Sequence, residues 1–118
     1  MNNRHLNKAR DMALLSVCEQ RIGSVITLKD KVIAMGYNKN KTHPKAPNAF
    51  KHIHSEFDAI IKAPKNLLRG ASIYVYRITK GNNRGLSKPC KTCLDFIRKS
   101  GIKKVVYSTE TYWGVIEL

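Results

Sequence analysis

Lys51-His-Ile-His-Ser-Glu56 and Lys88-Pro-Cys-Lys-Thr-Cys93 are the two stretches of this 118-residue chain on which its architecture turns. Each is followed by apolar residues at helical spacing, Phe57, Ile60 and Ile61 after the first and Leu94, Phe96 and Ile97 after the second. Both therefore predict helix N-termini. A helix N-terminus carries partial positive charge and spare N–H groups, which favours the thiolate form of a cysteine. Pro89 suits such a start, because the first helical positions have no partner for an N–H. Cys90 and Cys93 are three apart, so one turn brings both sulfurs to the same side. His54, Cys90 and Cys93 then make one imidazole and two thiolates, three ligands for a tetrahedral zinc with its fourth position open to water. Glu56 lies two residues beyond His54, too close for a comfortable fourth ligand but well placed to exchange protons with that water.

Blander readings exist for each part. Cys-x-x-Cys alone fits a redox pair or half of a structural zinc site. A closed structural site needs a fourth protein ligand, for which His52, His43 and Cys18 are the candidates. Cys18 reads as a small apolar residue on the first helix. His43 and His52 are read as lining a pocket or standing in solvent. Glu56 alone would be an ordinary helix-N-terminal glutamate, worth about 0.5 kcal/mol to the helix dipole. The order of the elements, with Pro89 before the first cysteine, favours a catalytic zinc.

Outward from these stretches the pattern predicts eight elements. A first helix runs over 3–20, carrying Leu6, Ala9, Ala13 and Val17 at helical spacing, and Ile22 and Gly23 break it. Strands over 24–28 and 32–35 form a hairpin, and a polar loop spans 38–53. A helix from His54 stops before Pro64. A third strand covers 71–76, a loop 79–88, and a third helix 90–100, closed by Gly101. A fourth strand spans 103–108 and a fifth 115–118. The order α-β-β-α-β-α-β-β predicts a three-layer α-β-α architecture with about five mixed strands, in one domain over 1–118. Only six residues separate Ser108 from Val115, whereas a parallel neighbour needs a dozen or more. The fifth strand must therefore run antiparallel to the fourth.

No apolar run follows the basic residues of Met1-Asn-Asn-Arg-His-Leu6, so no signal peptide is expected. Nor does any stretch reach bilayer-spanning length, so no membrane partner is expected. Three cysteines, two of them claimed by metal, leave no disulfide framework, and a reducing, intracellular, cytoplasmic setting follows. The net charge is +14, from 22 Lys and Arg against 8 Asp and Glu. That field attracts polyanions, single-stranded nucleic acid included. Yet the basic residues are spread from Lys8 to Lys104 rather than gathered into an arm, as a biased codon composition would also produce.

His54-Ser-Glu56 with Pro89-Cys-Lys-Thr-Cys93 resembles the cytidine and deoxycytidylate deaminase superfamily, and the similarity runs from Ser24 onward. The family's His-Ala-Glu has serine in place of alanine here, and Ser55 would offer its backbone N–H to the base carbonyl. Gly36-Tyr-Asn38 resembles the segment whose asparagine holds the sugar hydroxyl. Ser87-Lys-Pro-Cys resembles the family's Ser-Pro-Cys with Lys88 interposed, so the carbonyl of Ser87 or of Lys88 would receive the exocyclic amine. Ser100 to Tyr107 looks like deoxycytidylate deaminases, and Tyr107, Trp113 and His43 complete the expected substrate contacts. The antiparallel end is more like free cytidine deaminases and toxin-type deaminases, although free-nucleoside enzymes often have cysteine where His54 stands.

The resemblance implies zinc as cofactor and hydrolytic deamination of cytosine to uracil, with Glu56 moving the protons. A free cytosine nucleotide such as deoxycytidylate, or the nucleoside, is the expected partner. The alternative is cytosine (less readily adenine) in single-stranded DNA or RNA, stacked on Phe50, Tyr112 or Trp113 beside Lys39, Lys41 and Lys45. Relatives of this fold often assemble, and a homo-oligomer is part of the expectation.

Overall fold

The computed structural model describes residues 4–39 and 54–118. The elements follow in the order α1 (Arg4–Ala13), β1 (Arg21–Leu28), β2 (Lys31–Tyr37), α2 (Ser55–Lys62), β3 (Ser72–Ile78), β4 (Arg84–Gly85), α3 (Lys91–Ser100), β5 (Lys104–Ser108) and β6 (Trp113–Glu117). They form one mixed sheet in the order β2-β1-β3-β5-β6, with the short β4 paired to β3. Helix α1 covers one face, while α2 and α3 cover the other, which is the three-layer arrangement the element order predicts.

Local chemistry explains the joints. Strands β1 and β2 turn through Lys29 and Asp30, whose φ values of 52° and 68° place both central residues in the left-handed region of a hairpin turn. Strands β3 and β5 are parallel, joined by the crossover through α3. Strands β5 and β6 are antiparallel, closed by Thr109 N–H to the Tyr112 carbonyl at 2.9 Å. The short connection left no other direction. Helix α3 ends at Gly101, whose φ of 99° is the left-handed cap conformation glycine adopts without strain.

Strand β3 shows how the two cores divide. Ile73 and Val75 pack with Ile26, Ile60, Ile97 and Val105 beneath α2 and α3. Tyr74 and Tyr76 pack with Leu6, Ala9, Val25 and Val106 beneath α1. Each fully buried aliphatic side chain contributes about 1.5–3 kcal/mol. Helix α2 comes so near β2 that a Cβ on Gly36 would lie 2.5 Å from the Ala59 nitrogen, so glycine is required there.

Four details depart from the sequence reading. The first helix stops at Ala13, and Val17 is 89% exposed rather than turned inward. Its end tightens through Leu15 N–H to Met12 and Ser16 N–H to Ala13, and the Ser16 hydroxyl then donates to the Asn38 carbonyl (2.9 Å). A serine side chain that bonds backbone elsewhere draws the chain out of the helix. Cys18 is accordingly off the helix. Ile22 and Gly23 lie inside β1 rather than breaking a helix. Within the expected 79–88 loop, β4 adds a sixth strand, held by Arg77–Gly85 and Ile78–Arg84 pairing.

Candidate active site

Helices α2 and α3 meet near their N-termini. The rings of Phe57 and Phe96, one turn in from His54 and Cys93, pack with centroids 5.1 Å apart, and Phe57 and Cys93 are both buried. That contact draws the two helix starts together. His54 is the N-cap of α2 and Cys90 the N-cap of α3, both in extended conformation, and neither side chain makes a cap hydrogen bond. Both caps still start their helices through the main chain, with Asp58 N–H to the His54 carbonyl and Leu94 N–H to the Cys90 carbonyl.

The ligand atoms of His54, Cys90 and Cys93 all lie within 4.8 Å of one another, and among the described residues no fourth His, Cys, Asp or Glu joins them. His54 Nδ1 is 3.1 Å from Cys93 Sγ. The edge of a zinc tetrahedron with bonds of about 2.0–2.3 Å is roughly 3.5 Å, so the cluster matches the scale of such a site. Burial, then the nearby Glu56 carboxylate and the Cys90 sulfur, push the Cys93 thiol well above its usual range. Of the three groups only Cys93 is buried, with His54 half-buried and Cys90 exposed, so the cluster opens to the cleft. The donor set, one nitrogen and two sulfurs, fits Zn2+.

Glu56 is buried on the first turn of α2. The Ser55 hydroxyl donates to its Oε1 at 2.7 Å, and Ser24 Oγ lies 2.7 Å from Ser55 Oγ. Since Ser55 commits its one proton to Glu56, Ser24 is the donor to Ser55. A chain of two buried hydroxyls thus orients the carboxylate. Ser24 was not singled out in the sequence, because an inward serine in an apolar strand looks like an ordinary core position.

These residues line a cleft of about 530 Å³, in the range of small-molecule sites. His54, Glu56, Cys90 and Cys93 are part of its lining, together with Ser55, Asn38, Ser87 and Lys88. Two of these have committed side chains. The Asn38 amide accepts from Ile22 N–H (2.9 Å) and donates to the Gln20 carbonyl (2.5 Å), so it pins the chain entering β1. The Ser87 hydroxyl donates to the Val75 carbonyl (2.8 Å) and accepts from Ser108 N–H (2.7 Å), which fixes the loop leading to Pro89.

Tyr107 and Trp113 stand elsewhere, a departure from the expected contacts. Tyr107 packs on the α2–α3 core and over Gly114, and Trp113 packs on the α1 core. Tyr112 packs against Trp113 in a tilted pair with centroids 4.8 Å apart, and neither ring belongs to the cleft lining. Lys39 is tied to the buried carboxylate of Asp58. His43, His52, Lys41, Lys45 and Phe50 fall outside the described residues.

Missed in the sequence were Arg77, Leu86, Glu19 and Gln20, which also line the cleft, as does Cys18. Arg77 could have been found. It continues the parity of Ile73 and Val75, so an arginine there is an inward-facing charge at the end of an apolar strand.

The cytidine and deoxycytidylate deaminase zinc-binding region, as a family model, matches residues 2–109. Among solved structures, the chain is similar to the dCMP deaminase of cyanophage S-TIM5, with 21% identity and a TM-score of 0.65, covering 87% of this chain and 78% of that one. It is also similar to a cytidine deaminase from Burkholderia pseudomallei, with 18% identity and a TM-score of 0.71 over 99% and 92% of the two chains. A third likeness is to RibD of Acinetobacter baumannii, with 25% identity, a TM-score of 0.56 and coverage of 87% of this chain and 26% of that one. At the identities of the first two, the likeness is one of fold. No curated protein sequence matches the chain.

Proposed function

Because this chain belongs to the cytidine and deoxycytidylate deaminase zinc-binding family, we propose that it is a zinc-dependent hydrolase converting the cytosine of a free nucleotide, deoxycytidylate foremost, to uracil with release of ammonia. The observation that carries the reading is that buried Glu56 lines the same cleft as the clustered His54, Cys90 and Cys93. The cyanophage dCMP deaminase has been solved with dCMP and dUMP, which supports the nucleotide as substrate class. We take residues 1–118 as one catalytic domain, a reading supported by the family match over 2–109.

His54, Cys90 and Cys93 would hold the metal. Bound there, zinc makes a water acidic near neutral pH, which supplies the nucleophile. Glu56 accepts the water's proton as the oxygen adds to the amino-bearing ring carbon, and passes it to the ring nitrogen. It then takes the remaining proton from the added hydroxyl and delivers it to the departing amine, so that ammonia leaves and a carbonyl remains. The Ser24–Ser55 hydroxyl chain holds the carboxylate in one orientation through these transfers. The Ser55 N–H and the carbonyl of Ser87 or of Lys88 are the groups assigned to the edge of the base. Asn38, its amide committed to main chain, shapes the cleft rather than gripping the sugar.

The nucleic-acid alternative rests on the +14 charge. Lys39 is engaged by Asp58, and the Tyr112–Trp113 pair lies outside the cleft lining, which removes two of its supports. The test is a substrate panel on zinc-loaded protein: cytidine, deoxycytidine, their monophosphates and single-stranded oligonucleotides, read by mass change and ammonia release. Deoxycytidylate should turn over, and Glu56→Gln should abolish turnover while retaining zinc. Inertness toward every cytosine compound, with one zinc bound per chain, would refute the proposal.

A further inference from the structure

Arg77 stands on β3 at the mouth of the chemistry, yet the mechanism above does not use it. Its backbone N–H is spent on the Ser108 hydroxyl (3.1 Å), and its stem passes over Gly85, where a Cβ would lie 3.2 Å from Cδ. The head reaches the cleft lined by Glu56, Cys90 and Lys88. There Nη1 makes only a long contact of 3.5 Å with the Leu86 carbonyl, and among the described residues the buried Nε has no hydrogen-bond partner. No carboxylate pairs with it among the described residues. The acidic Glu19 on the same lining is ion-paired with Lys80 instead. A half-buried guanidinium without an anion is costly, and its planar fork matches phosphate in two-point contact.

We propose that Arg77, with Lys88 on the lining of the same cleft, forms a phosphate-binding subsite that makes the enzyme prefer a cytosine 5′-monophosphate to the nucleoside. The inference rests on the deamination reading and assigns this chain's own residues to the phosphate of that nucleotide. Gly85 gives the stem its passage, and the Ser87–Ser108 hydrogen bonds hold the wall against which the head lies. The terminal phosphate of a mononucleotide carries more charge than a backbone diester, so cationic groups on the cleft lining suit it. The +14 field would steer such a dianion toward the cleft.

Wild-type protein, Arg77→Gln and Arg77→Lys, all zinc-loaded, are compared on deoxycytidine, dCMP and a deoxycytidine oligonucleotide. Binding of dUMP and of deoxyuridine is measured alongside by calorimetry. Arg77→Gln should lower kcat/KM on dCMP on the order of 30-fold, weaken dUMP by a similar factor and leave deoxycytidine unchanged. Arg77→Lys keeps the stem and charge but not the fork, and should lose less on dCMP, again sparing the nucleoside. Equal losses on nucleoside and nucleotide would overturn the proposal, as would a loss confined to the oligonucleotide. Should wild-type protein deaminate nothing, the deamination reading fails, while weaker dUMP binding by Arg77→Gln would still support the subsite.

Discussion

Replacing Asn38 by alanine distinguishes a residue that grips substrate from one that builds the cleft. Among the described residues its side chain makes two hydrogen bonds, both to main chain: Ile22 N–H to Oδ1 at 2.9 Å and Nδ2 to the Gln20 carbonyl at 2.5 Å. Asn38 itself is buried. Leaving a buried donor without its acceptor costs about 1–3 kcal/mol, and a carbonyl that regains water costs less. Ile22 is half-buried and Gln20 exposed, so the sum is about 2–3 kcal/mol. For a chain of this size that lowers Tm by about 8–12 °C. Asn38→Asp keeps the acceptor for Ile22 but sets a second oxygen against the Gln20 carbonyl, and should be no better. The assay is a thermal melt of zinc-loaded protein, with kcat and KM measured on dCMP well below the transition. A variant melting within about 2 °C of wild type, with KM raised severalfold, would show that the amide serves the ligand and would refute the reasoning.

Removing the metal-binding sulfur in Cys93→Ala should take zinc from near one per chain to near none and lower the melting temperature with it; elemental analysis and a melt with and without chelator check this. Gly36→Ala sets a Cβ 2.5 Å from the Ala59 nitrogen and 2.9 Å from the Ser55 carbonyl, so α2 must move from β2. A cost of about 1–3 kcal/mol and weaker zinc retention are expected, because the same helix begins at His54. Burial alone would raise Asp58, but Lys39, Lys62 and the Tyr37 N–H outweigh it and hold the carboxylate below its ordinary value. Its stabilising effect is therefore complete above the unfolded value of about 3.9 and is lost as pH falls through the lower folded one. Melting temperature measured against pH should fall less steeply on the acid side in Asp58→Asn, and an unchanged slope would assign that limb to other carboxylates.

What the sequence determined by itself was whatever depends on short separations. Cys90 and Cys93 share a side because one helical turn puts them there, and β6 runs antiparallel because its connection is too short for anything else. Both helix starts, near His54 and Cys90, follow from the local periodicity of the apolar residues after them. Only the tertiary structure decided the end of α1, which depends on the Ser16 hydroxyl finding the Asn38 carbonyl far along the chain. It also turned the Asn38 amide toward the Gln20 and Ile22 main chain, joined Ser24 to Ser55 and Glu56, and brought Arg77 to the cleft. These are contacts between groups distant in sequence, formed only where two elements pack. No local pattern records which backbone group a polar side chain will meet once the sheet and helices have closed around it.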